Sequence, residues 1–190
     1  MNSPQTPSGD EARPTDWPEL IGFSATLRQQ LSELEPDLSP FTIPHLGATE
    51  EKLAEAEQRL GVKLDDQHRD LLGHTNGWPF FFTYTDLLST DELGTGPLWQ
   101  KGQELLGLYY SEGPVPSDFP PHGELLSIAV GESVTDVFAL WMSGPETDGG
   151  HPVLWLAGEE VDRWPNVRQW LLSVNQYLQN DIVKLGATPR

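Results

Sequence analysis

The sequence predicts an α+β fold, and three observations predict it. Apolar residues recur at spacings of three and four near the start, in the middle and at the end of the chain, which marks amphipathic helices. A helix, a glycine, a short link, a second helix and an Asn-Gly pair stand ahead of the first strand. Three β-rich runs then follow one another with short links, the pattern of an antiparallel meander.

Residues 1–15 read MNSPQTPSGDEARPT, with few large apolar groups, and are expected as a disordered tail. A single domain is expected over 16–185. Asp16 can cap the first helix and Pro18 suits its first turn. Leu20, Phe23, Leu27, Leu31 and Leu34 make one stripe, which Pro36 and Pro40 end. Thr49 is a good N-cap for the next helix, and Glu50 and Glu51 favour the positive end of its dipole. Leu53, Ala56 and Leu60 share a face, and Gly61 stops the helix in the left-handed conformation.

After Val62-Lys63-Leu64, Asp65 can cap a second helix carrying Leu71 and Leu72. Asn76-Gly77 supplies the backbone of a tight turn into a first strand at 80–84. Residues 86–93 read as loop and short helix, and 99–110 as a helix. Four prolines (Pro114, Pro116, Pro120, Pro121) make 111–123 loop or edge. Strands are expected at 125–130, 137–142 and 152–157. A closing helix over about 166–184 aligns Val167, Trp170, Leu171, Val174, Leu178 and Ile182.

Charge excludes much. The 190 residues hold 29 Asp and Glu against 11 Lys and Arg, a formal net charge of −18. Such a chain repels phosphate backbones and anionic membrane surfaces, so direct nucleic-acid and membrane binding are not expected. No apolar run approaches the ~20 residues of a membrane span. The first twenty residues lack a basic cluster and an apolar stretch, which makes the cytoplasm the expected address. Cysteine is absent, so disulfides, thiolate catalysis and cysteine-based zinc sites are excluded.

Catalytic constellations are weak. His45, His68, His74, His122 and His151 show no ligand spacing such as His-Glu-x-x-His. His151 lies near Glu146 and Asp148 in sequence, a faint metal signal against the simpler reading of a solvated turn histidine. There is no Gly-x-Ser-x-Gly elbow, and Gly94-Thr95-Gly96-Pro97 lacks the Lys-Ser/Thr of a phosphate loop. Adjacent carboxylates, Glu159-Glu160 and Asp65-Asp66, diverge on either a helix or a strand and do not build an acid/base pair. No catalytic residue, metal or cofactor is expected. Trp141, Trp155 and Trp170 read as core, whereas Trp99, Tyr109 and Tyr110 stand in a loop-rich region from which an aromatic could meet a partner.

The stretch ATEEKLAEAEQRLGVKLDDQHRDLLGHTNGW, residues 48–78, resembles the signature of the SMI1/KNR4 (SUKH) superfamily. Glu57, Leu60, Gly61, Leu64, Arg69, Leu72, Asn76 and Gly77 stand where that pattern has them, and the strands and Trp164…Trp170-Leu171 helix resemble its second half. The likeness spans roughly 16–180. One departure is Asp65, where the family usually has Pro. The resemblance implies a mixed or antiparallel sheet flanked by helices, with a helical hairpin before the first strand and a long C-terminal helix. It implies that Glu57, Gly61, Arg69, Asn76 and Gly77 are architectural. It also implies a non-enzymatic protein-binding domain: in bacteria an immunity protein that neutralises a polymorphic toxin, often a nuclease, or alternatively a regulatory or scaffold module with another protein partner.

Charge distribution adds an independent observation. Between Lys101 and Arg163 there is no Lys or Arg, while eleven carboxylates occur. Such a window steers a basic partner, although acidic surfaces also serve solubility alone. The expected partner-facing residues are Trp99, Glu104, Tyr109, Glu112, Asp118, Glu124, Glu132, Asp136, Glu146 and Asp148, drawn from the sheet half and the segment 93–123. A basic nuclease toxin, its cleft covered by this acidic surface, is the expected partner.

Overall fold

The computed structural model describes residues 16–82, 84–111 and 115–186. The expected tail over 1–15 and the candidate Glu112 lie outside these residues. The fold is α+β: five helices and one six-stranded, wholly antiparallel sheet with strand order β1-β2-β3-β4-β5-β6. The elements are α1 (Trp17–Leu34), α2 (Glu50–Leu60), α3 (Asp66–His74), β1 (Trp78–Phe82), β2 (Thr85–Leu87), α4 (Pro97–Ser111), β3 (Leu125–Gly131), β4 (Val137–Trp141), β5 (Val153–Leu156), β6 (Glu160–Trp164) and α5 (Val167–Gly186).

Local chemistry sets the helix limits. The Asp16 carboxylate accepts from the Glu19 N–H at 2.9 Å to start α1, with proline in the first turn. Thr49 caps α2, and Gly61, at φ 72°, ends it. The α2–α3 hairpin is tied by charge. Glu57 accepts from the Leu64 N–H at 3.1 Å, and Arg69 reaches Glu57 at 3.4 Å and Glu50 at 2.7 Å. Asn76 then takes the Thr90 N–H on its side-chain oxygen at 2.7 Å, while Gly77 turns at φ 93°.

Two layers of helix sandwich the sheet. On one face Phe82, Phe138 and Trp155 meet α5 through Trp170 and Tyr177, with ring centroids 5.3–5.8 Å apart in the closest pairs. Helix α1 lies outside α5, joined to it by Ser24 Oγ donating to Asn175 at 2.6 Å. On the other face Gly102 of α4 sits over Ser127 and Val130, close enough that a Cβ there would lie 2.6 Å from Ser127 Oγ. With a helix on each side, every residue of β3 is buried.

Two strands were not legible. Residues 85–87, the last two of them expected within loop and short helix, pair with β3 as β2; three residues are too few to show a period. Strand β6, Glu-Val-Asp-Arg-Trp, was not expected at all. It is an exposed edge whose charges carry low β-propensity and guard the edge against further pairing. The first strand begins at Trp78, and Tyr84, at φ 63°, belongs to the following turn.

Asp65, the departure from the family pattern, is a junction. It is buried, caps α3 by accepting from the His68 N–H at 2.9 Å, and accepts from the His151 N–H at 2.8 Å. The His151 ring nitrogen Nδ1 lies 2.9 Å from the same oxygen, which places its proton on Nδ1. One carboxylate therefore fastens the α2–α3 hairpin to the β4–β5 turn. Asp65→Ala removes a cap and orphans two donors, an expected loss of about 2–4 kcal/mol. Urea unfolding measures it, and a loss under about 0.5 kcal/mol would contradict the junction.

Candidate functional site

The Lys/Arg-free window builds the half of the molecule around α4. In an antiparallel meander alternate turns lie at opposite ends of the sheet. The β3–β4 and β5–β6 turns therefore share one end, which carries Glu132, Asp136 and Glu159. The start of β3 and the β4–β5 turn lie at the other end, with Glu124, Glu146 and Asp148. The expected partner-facing set is thus two clusters rather than one.

Several of these carboxylates also serve the fold. Glu124 accepts from Trp141 Nε1 at 3.0 Å and from the Ser143 hydroxyl, and these hydrogen bonds, Ser143 first, hold its carboxyl below the usual range. Asp136 accepts from Trp155 Nε1 at 2.7 Å. Trp141 and Trp155, expected as core, are half-buried: their rings pack on it while their N–H groups reach these rim carboxylates. Trp99 is half-buried against the core, and Tyr110 donates to Pro120 O at 2.9 Å. Glu104, Asp118, Glu132, Glu146 and Asp148 are exposed.

Cations near the window are already engaged. Lys101 Nζ donates to the Gly131, Glu132 and Val134 carbonyls at 2.6, 2.6 and 2.9 Å, pinning the β3–β4 turn to α4. Arg163 grips Glu160 with two bonds of 2.7 Å. Among the described residues this is the one ion pair made by a carboxylate of the window.

At the end holding Glu132, Asp136 and Glu159 lies a half-open groove of about 390 Å³. One wall is α4, which turns Leu105, Leu108 and Tyr109 outward while Gly102 and Leu106 face the sheet. The other walls are Val115, Pro116 and Phe119 and the β5–β6 turn with Gly158, Glu159 and Glu160. Tyr109 stacks on Phe119 at 5.8 Å, and burial pushes its phenol pKa up. Of the expected residues that are described, only Tyr109 lines this groove. The rest was missed because 105–119 and 158–160 meet only in the folded state; the second apolar row of α4, Leu105 and Leu108, was its one signal.

A second concavity, about 330 Å³, lies between α1, α5 and the β1–β2 turn. Its lining mixes Arg28 and Lys184 with Glu35 and Asp181, so its charge selects no partner class.

The histidines are dispersed. His68 is fully buried in α3, His151 is on Asp65, His74 leans on the Asp70 carbonyl at 2.9 Å, and His122 stands edge-on to Tyr110. No group of three His, Asp or Glu residues among the described residues is arranged to hold a metal ion. No helix among them is long and apolar enough to cross a membrane. The arrangement offers an apolar groove and fixed negative charge.

Comparison with known families agrees with this organisation. The family model described as SMI1 / KNR4 family (SUKH-1) matches residues 47–173, more than half of the chain. No curated protein matches it.

Proposed function

The chain belongs to the SMI1 / KNR4 family (SUKH-1), and from that premise we propose that it is a non-enzymatic immunity protein acting in the cytoplasm. It neutralises a toxin, a basic nuclease, by covering the cleft that receives nucleic acid. The observation that carries this reading is the α4 half, whose exposed carboxylates face solvent while its neighbouring cations are spent on backbone carbonyls and on Glu160. A nuclease cleft is basic because its substrate is a polyanion. An acidic protein competes for that cleft and is steered to it, with association faster by ~10–10³ at low salt.

The test uses the nuclease domain encoded beside this gene, inactivated by mutation. Association is measured at about 50 and 300 mM salt. Tight binding is expected, with an association rate that falls steeply at the higher salt. The double variant Glu132→Gln, Glu159→Gln is expected to slow association by about 3–10-fold and to leave dissociation nearly unchanged. Absence of binding at low salt overturns the toxin reading. Capture of a different, non-toxin protein would favour a scaffold role.

A further inference from the structure

We propose that the groove between α4 and the β5–β6 turn is an anchor pocket for a basic peptide segment of a protein partner. The segment presents one large apolar side chain flanked by Lys or Arg. This inference rests on the protein-binding reading above and names the chemistry of the contact.

Three observations fix the occupant. The lining is apolar: Leu105, Leu108, Tyr109, Val115 and Phe119. Leu108 is 48% exposed, a large apolar group left at the mouth of a groove instead of inside the core. A volume of about 390 Å³ is at the small end of ligand pockets and suits a side chain with its flanking backbone. The lip is negative. Glu159 is exposed at the β5–β6 turn, and Asp136 and Glu159 both act electrostatically on the Tyr109 phenol. Asp118, exposed beside Phe119 of the lining, shares its side of the groove with Arg163, which donates to its carbonyl at 3.1 Å and is otherwise held by Glu160.

The same charge excludes other occupants. A second copy of this chain would set two acidic rims against each other, and like charges across an interface oppose association. A phosphate backbone or an anionic vesicle is repelled in the same way. An uncharged apolar ligand would fill the floor and leave the carboxylates of the lip without partners. An apolar anchor between cations satisfies both, with the aromatic and aliphatic floor providing a hot spot and the lip providing register.

The experiment titrates the full-length chain, labelled with ¹⁵N, with three synthetic decapeptides. The first has Leu-Trp between pairs of lysines, the second Ala-Ala between the same lysines, and the third Leu-Trp between glutamates. The first is expected to bind at least 10-fold more tightly than either of the others, with amide shifts centred on Leu105, Leu108, Tyr109 and Gly158. Leu108→Asn, at an exposed position that leaves the core intact, is expected to abolish that preference. Equal binding of both lysine peptides, shifts centred elsewhere, or no binding overturns the proposal. The adjacent nuclease separates this failure from that of the immunity reading. If Leu108→Asn still binds the nuclease at native affinity, the groove is wrong and the immunity reading stands; if the native chain ignores the nuclease, that reading fails whatever the peptides do.

Discussion

Gly47→Ala is expected to destabilise the protein by about 3 kcal/mol or more, the upper range of overpacking. A Cβ at this position would lie 1.9 Å from the Gly73 carbonyl oxygen and 2.6 Å from its carbon. The obstacle is backbone, so no rotamer change relieves it. Nor can the two segments separate cheaply. The extended chain around Gly47 is laced to α3 and the Asn76-Gly77 turn by His45 N–H to Gly77 O, Ala48 N–H to Leu72 O and Asn76 N–H to Leu46 O, at 2.8–3.2 Å. The control is Gly22→Ala. Gly22 is inside α1 with nothing within 4 Å of a built Cβ, so alanine there is expected to stabilise by about 0.5–1 kcal/mol. Urea midpoints for the two variants should move in opposite directions. Equal shifts would show that the contact at Gly73 is not tight.

Acidification from pH 6.5 to pH 4 is expected to remove about 3 kcal/mol of stability through His68 alone. His68 is fully buried in α3, and neither ring nitrogen has a hydrogen-bond partner. Burial lowers its pKa from the ordinary 6.5 to about 4, against the smaller opposing effect of the Asp65 charge. Above pH 6.5 both folded and unfolded forms are neutral at this residue, and stability is complete. As pH falls below 6.5 the unfolded chain takes up a proton that the folded one refuses. The loss grows until the folded pKa of about 4 is reached. His68→Leu replaces the ring with an apolar group that cannot titrate at this buried position. It should flatten the pH dependence of the urea midpoint between pH 6.5 and 4 and raise stability at pH 5. An unchanged slope would mean that the carboxylates, not His68, govern acid unfolding.

Legibility followed the range over which each element is determined. All five helices were readable, α4 from 99–110 of its 97–111, because caps, glycine stops and apolar stripes are local: Asp16, Thr49, Asp65 and Gly61 act within four residues of themselves. Strands β3, β4 and β5 were readable as dense apolar runs. β2 and β6 were not, because their strand character comes from a neighbour; β6 pairs with β5 while carrying Glu160, Asp162 and Arg163. The acidic window was plain in the sequence, but its division between two ends of the sheet depends on the meander, and the roles of Glu124 and Asp136 as indole acceptors depend on contacts 17 and 19 residues away. The groove needed the tertiary fold outright, since Tyr109 and Glu159 meet across 50 residues.

The pairing of α1 with α5 bears on how the chain emerges from the ribosome. Ser24 and Asn175, which join the two helices, are 151 residues apart. At about 5–20 residues per second, α1 waits about 8–30 s for its mate to be translated. The hairpins need no such delay, since each strand pairs with the one synthesised just before it. During that interval α1 can meet α3, through Trp17 Nε1 on Asp70 at 2.6 Å, but the rest of its leucine row lacks α5, and nascent-chain chaperones would find their binding site there. Slowing elongation should therefore prolong chaperone occupancy on residues 17–34 before the meander shows any.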